Sequence, residues 1–138
     1  MTNSTAQHVY FVRVYYEDTD AGGVVYHSNY LRFAERARTE LLRDAGFDHM
    51  TLMEEKGLMF AVRRCEVEYV KPARLDDALE IRTRCLEATG ASFWLEQLVQ
   101  CAGETLVRMK LRLVCLKEDG RPARLPENLN KILGAAVA

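Results

Sequence analysis

A chain of 138 residues with 49% hydrophobic side chains is long enough to bury one apolar core, so neither disulfides nor a structural metal is needed to hold a single domain over 1–138. Its 19 basic and 20 acidic residues are scattered along the whole length and leave a formal charge of -1, which argues against nucleic acid as a partner. No window approaches the roughly 18 apolar residues of a membrane span, and the opening MTNSTAQHVYF lacks a basic region followed by an apolar run, so a soluble, cytoplasmic chain is expected.

The segment Val9–Tyr16, VYFVRVYY, is rich in β-branched and aromatic residues and reads as a first strand, closed by the polar turn EDTDAGG. Ser28 or Asn29 can then cap a helix. Behind them Tyr30, Phe33, Ala34, Ala37, Leu41, Leu42 and Ala45 recur at steps of three and four up to Gly46, predicting one long amphipathic helix. A short helical stretch over Thr51–Lys56 follows. The period then changes, and strands are expected near Leu58–Val70, Ala78–Leu86, Ser92–Cys101 and Thr105–Leu116, broken at Lys71-Pro72-Ala73, Thr89-Gly90 and Ala102-Gly103-Glu104. The short links predict an antiparallel meander, with imperfect alternation in the SFWLEQLVQC strand. A small terminal helix is expected over Pro126–Ala136. Together these give an α+β domain: a five-stranded antiparallel sheet wrapped around one long central helix, the hot-dog arrangement. One helix leaves sheet edges uncovered, so pairing between copies of the chain is expected.

Cys65, Cys85, Cys101 and Cys115 are far apart, show no CxxC or zinc spacing, and read as buried reduced thiols. The three histidines, His8, His27 and His49, form no metal spacing, and no metal or cofactor is expected. Chemistry concentrates between Tyr15 and Arg38. Glu17, Asp18 and Asp20 follow the first strand, where mutual repulsion and partial burial favour raised proton affinity; an acidic turn that only satisfies backbone donors is the competing reading. Gly22 and Gly23 allow positive φ and close backbone approach, and the helix that follows directs unsatisfied N–H groups into the same loop. A base beside such donors suits attack on an acyl carbonyl. His27 is a candidate proton carrier, or a supporting residue, or simply part of the loop.

The run YEDTDAGGVVYHSNYLRFAERARTELLR, residues 16–43, closely resembles the signature of the YbgC-type acyl-CoA thioesterases, the Tol/Pal-associated branch of the 4-hydroxybenzoyl-CoA thioesterase family. A weaker likeness continues through VEYVKPARLDDALEI, and the strand order is similar from about Val9 to Leu116. The resemblance implies a hot-dog fold, subunits paired through their sheets as dimers or tetramers, active sites at subunit interfaces, and acyl-CoA as substrate. It places the catalytic aspartate on Asp20 rather than Asp18, as general base or as nucleophile through an acyl anhydride. It puts the oxyanion donor on the backbone N–H of His27, with Gly23 and Tyr26 shaping the substrate site. Glu35 falls in the helix motif, where a salt bridge to Arg38 or Arg36 competes with a substrate contact. The basic residues that aromatic-acyl relatives carry near the turn at Glu87–Ser92 are missing here; Arg63, Arg64, Lys71, Arg74, Arg82 and Arg84 are the substitutes on offer for coenzyme A phosphates. Two alternatives remain beside acyl-CoA hydrolysis. One is hydrolysis of thioesters on acyl carrier protein; the other is a non-catalytic scaffold that links lipid metabolism to the cell envelope, peripheral to the inner membrane.

Overall fold

The computed structural model describes residues 7–127 and Leu129. Strand β1 runs over His8–Arg13 and stops short of the expected Tyr16. The cause is local: the Asp18 carboxylate accepts the Tyr15 N–H at 2.8 Å, and the Asp18 N–H donates to the Tyr15 carbonyl at 2.9 Å, winding Tyr16–Asp18 into a 3-10 turn.

Helix α1 spans Asn29–Asp44 and buries Tyr30, Phe33, Ala34, Ala37 and Leu42, the stripe its spacing predicts. Gly46, at φ +90, ends it in the left-handed conformation that glycine tolerates best. Helix α2, His49–Lys56, begins two residues before the expected Thr51 because Asp48 caps it, accepting the Thr51 N–H at 2.8 Å.

Four strands follow: β2 Leu58–Tyr69, β3 Ala78–Thr89, β4 Ser92–Cys101 and β5 Glu104–Lys117. All pair antiparallel in the order β1-β3-β4-β5-β2. Only β3, β4 and β5 form the expected meander; β2 pairs with β5 at the far edge, not with β3. The segment 70–77 has to cross between them. It is held on the way by Val25 N–H to Ala73 O at 2.9 Å and lands beside β1 through Asp76 N–H to Val14 O at 3.0 Å.

Alternation in β4 is strict, not imperfect. Phe93, Leu95, Gln97 and Val99 point inward, and the polar Gln97 is fully buried because its amide is satisfied. Its Nε2 donates to Ala34 O and to Thr83 Oγ1, each at 3.0 Å, and its Oε1 accepts from Arg38 Nη1 at 3.0 Å. Around this network lie Phe33, Leu79, Ile81, Leu95, Val99, Met109 and Leu111, all buried, each contributing about 1.5–3 kcal/mol by leaving water.

The sheet curls around α1, which lies over β1 and β3, while α2 packs on β2. This is the α+β hot-dog arrangement, with a second short helix added. The inner face of β2 is only partly covered, and Val62 and Tyr69 remain 46% and 49% exposed. Cys65 shares that face, in register with buried Leu111, and is exposed. Cys85 and Cys115 are buried as expected, and Cys101 is half-buried. The terminal helix expected over 126–136 falls mostly outside the described residues. Among those described, no helix is long and apolar enough to cross a membrane.

Candidate active site

The loop between β1 and α1 is built as a hairpin. Thr19 bridges Val25, Asp20 N–H donates to Val24 O at 2.9 Å, and Gly23 N–H donates to Asp20 O at 3.0 Å. That is a β-turn followed by Gly23 at φ +81, a position where a side chain would be strained. Gly22 does not use positive φ; its N–H instead donates to Asp20 Oδ1 at 2.8 Å.

The three acids separate by geometry. Glu17 is exposed. Asp18 is structural: its carboxylate holds Tyr15 N–H, and its carbonyl accepts both Tyr26 N–H and Asn29 Nδ2 at 2.9 Å. Asp20 has one oxygen on Gly22 and no partner for Oδ2 among the described residues. It is exposed in the single chain, so the expected partial burial is absent: the hairpin lifts its tip away from the core.

After the hairpin the chain turns at Tyr26–Asn29, with Asn29 N–H donating to Tyr26 O at 2.8 Å. Ser28 precedes the helix without a side-chain cap, and Asn29 points its amide to Asp18 instead, so neither residue caps α1 as expected. The amide N–H groups of His27 and Ser28 have no acceptor among the described residues. His27 lines a cavity of about 240 Å³ with Val25, Tyr30, Tyr69, Val70, Lys71 and Pro72. Its ring lies 4.5 Å from that of Tyr26 and 6.4 Å, edge-on, from that of Tyr69. Asp20, Gly23 and Tyr26 belong to the same loop but stand outside this lining.

Burial raises the Tyr30 phenol above its ordinary pKa, opposed by the hydrogen bond from Ala73 N–H; the charges of Asp77 and Asp20 add to the rise. Tyr30 is therefore neutral at physiological pH.

Glu35 makes no ion pair with Arg36 or Arg38 among the described residues, because Arg38 turns inward to Gln97. Burial lowers the Arg38 pKa, with Glu35 and Cys65 opposing. Of the basic residues considered for coenzyme A phosphates, Arg64, Lys71, Arg82 and Arg84 each pair with a carboxylate: Glu66, Glu104, Glu80 and Glu96. Arg74 bridges Val24 at the base of the hairpin. Tyr69 was not singled out from sequence. It lies 42 positions from His27, and the end of β2, where Tyr69 pairs with Val107 of β5, brings its hydroxyl to the His27 carbonyl.

Comparison with known proteins follows the same outline. The Thioesterase-like superfamily profile matches residues 14–133. An acyl-CoA thioester hydrolase YbgC of Escherichia coli is 48% identical over 120 residues, covering 86% of this chain and 89% of its own length. The crystal structure of a probable thioesterase from Bartonella henselae is 42% identical and covers 87% of this chain and 99% of that one, with a TM-score of 0.83. A 4-hydroxybenzoyl-CoA thioesterase in complex with 4-hydroxybenzoyl-CoA shares the fold at a TM-score of 0.87 and 22% identity, covering 93% of this chain and 99% of that one. The hairpin loop, the helix it feeds and strands β2 to β5 fall within the matched span, and the chain belongs to the thioesterase-like superfamily, in its YbgC-type acyl-CoA thioesterase family.

Proposed function

We propose that this protein hydrolyses acyl-CoA thioesters to a free acid and coenzyme A, with Asp20 as the reacting carboxylate. One observation carries the reading: the 20–28 loop presents a carboxylate with an unengaged oxygen and, at the start of α1, amide N–H groups without acceptors. The relatives named above as thioesterases support the substrate class.

As general base, Asp20 takes a proton from water while the water oxygen bonds to the thioester carbon. The carbonyl oxygen becomes an oxyanion and is held by the His27 N–H. Collapse restores the carbonyl and breaks the C–S bond, and the leaving thiolate takes up the proton. A positioned base supplies typically 10²–10⁴-fold, and one oxyanion donor about 10²–10³-fold. If Asp20 is instead the nucleophile, its oxygen bonds to the carbon, the thiolate leaves, and water cleaves the resulting anhydride. Single turnover in ¹⁸O-water identifies the anhydride route when water opens the anhydride at the Asp20 carbonyl, because label then enters Asp20, which the general-base route never gives; trapping the acyl-enzyme with hydroxylamine covers attack at the acyl carbon.

Gly23 fixes the hairpin, and Tyr26 and His27 border the acyl thioester. The protein works as a homo-oligomer, dimer or tetramer: the free edge of β2 and the exposed Val62 and Tyr69 on its partly covered inner face support pairing there. The reading places it in the cytoplasm, where acyl-CoA is made, as an enzyme of lipid metabolism; acyl carrier protein is the alternative carrier, and association with Tol/Pal envelope components is a further expectation. The test is release of free coenzyme A from short-chain, aromatic and long-chain acyl-CoA. Turnover ranks the acyl preference. A folded oligomer that releases none from any of them contradicts the reading.

A further inference from the structure

Tyr69 closes β2, at the edge of the sheet, yet its hydroxyl donates to the main-chain carbonyl of His27 at 3.2 Å. That carbonyl belongs to the His27–Ser28 peptide, whose other end is the Ser28 N–H. The preceding peptide, Tyr26–His27, is bonded in the same sense: its carbonyl accepts the Asn29 N–H at 2.8 Å. Both unengaged amides, His27 N–H and Ser28 N–H, thus sit in peptides whose oxygens already accept a hydrogen bond. A peptide that accepts at oxygen is polarised to donate more strongly at nitrogen.

The directions agree as well. Ser28 has φ −74 and ψ −18, and the bond from Asn29 to Tyr26 closes a turn of type I, so His27 and Ser28 are both right-handed and their N–H groups run nearly parallel. Tyr69 is itself held in place. Its ring lies 5.8 Å from that of Tyr30, whose hydroxyl accepts the Ala73 N–H at 2.9 Å.

We infer that Tyr69 is a positioning residue for hydrolysis: its hydroxyl fixes and polarises the His27–Ser28 peptide so that the amides at the start of α1 face the thioester oxygen as a preorganised pair. This rests on the reading that His27 N–H receives that oxygen. A tyrosine that only packs would be replaced by phenylalanine without effect, which gives the inference its test.

Two measurements are made on the full-length protein. In Tyr69→Phe, kcat falls about tenfold, less than loss of a whole oxyanion donor, while KM and the melting temperature stay at their wild-type values. In the Asp20→Asn background, an acyl-CoA carrying ¹³C at the thioester carbonyl is bound and its C=O stretch recorded by infrared difference spectroscopy. The stretch lies below its solution value and moves back towards it in Asp20→Asn/Tyr69→Phe. An unchanged kcat together with an unchanged stretch overturns the role of Tyr69 while leaving acyl-CoA hydrolysis intact. A wild-type protein that releases no coenzyme A overturns the underlying reading, and this inference with it.

Discussion

Replacing Gln97 by Leu removes the one polar group that β4 turns inward. The amide makes three hydrogen bonds, two to neutral partners, Ala34 O and Thr83 Oγ1, and one from the Arg38 guanidinium. Neutral bonds contribute about 1 kcal/mol each and the charge-assisted one about 1.5–3, so their loss costs roughly 4 kcal/mol. The added apolar surface of Leu returns about 1 kcal/mol, leaving a net loss near 3. Urea unfolding followed by circular dichroism reads this directly: with m of about 1–3 kcal/mol/M, the midpoint drops by roughly 1–3 M at unchanged m. Adding Thr83→Val removes the hydroxyl left without its partner, so the double variant loses less than the two single losses combined. A Gln97→Leu midpoint shift worth under about 1 kcal/mol, or strict additivity with Thr83→Val, refutes the claim that this network organises the space between α1 and the sheet.

The two loop glycines separate strain from contact. Gly23→Ala, at φ +81 with nothing near its Cβ, loses about 1 kcal/mol of stability; Gly22→Ala puts a Cβ 3.2 Å from Asp20 Oδ1, so its melting temperature holds while its kcat falls. Thr51 N–H and hydroxyl hold the Asp48 carboxyl below its usual range, so the stability it lends is present above about pH 3.9 and is lost as pH falls through the lower, folded value. Asp48→Asn therefore flattens the acid end of the stability curve, and an unaltered acid limb in chemical unfolding contradicts this. Burial pushes the Cys85 thiol up to about 11, so its contribution to stability is intact below about pH 8.5 and fades as pH rises towards that value. In native protein at neutral pH, Cys85 and Cys115 resist thiol reagents until unfolding, whereas Cys65, on the partly covered face of β2, reacts faster as dilution separates oligomers.

Much of this architecture was legible from periodicity. The three- and four-residue steps from Tyr30 onward fixed α1, and Gly and Pro marked the strand breaks, because these signals come from local backbone physics. What the sequence hid depends on contacts between distant residues. Strand β2 skips to the far edge although its link to β3 looks like a short turn, and only the anchoring of segment 70–77 on Val14 and Val25 makes the crossing visible. Nothing in the SFWLEQLVQC run marks Gln97 as buried; its three partners come from α1 and β3. At the site, the acids could not be told apart by composition; Asp18 is distinguished by the Tyr15 and Asn29 bonds that make it a brace, and Asp20 by its unengaged oxygen. Tyr69 lay inside a segment already noted for its likeness to the family, but its bond to His27 is a product of the fold.

The central claim is that Asp20 carries the chemistry, and comparing coenzyme A release by wild-type protein and Asp20→Asn, at matched oligomeric state and melting temperature, tests it most directly. The account predicts a loss of at least about 10²-fold in kcat with the fold intact, since Asn retains the acceptor for Gly22 N–H but can neither take a proton nor supply a carboxylate nucleophile. Turnover by Asp20→Asn equal to that of the wild type would contradict it and return the search to the other carboxylates of the loop.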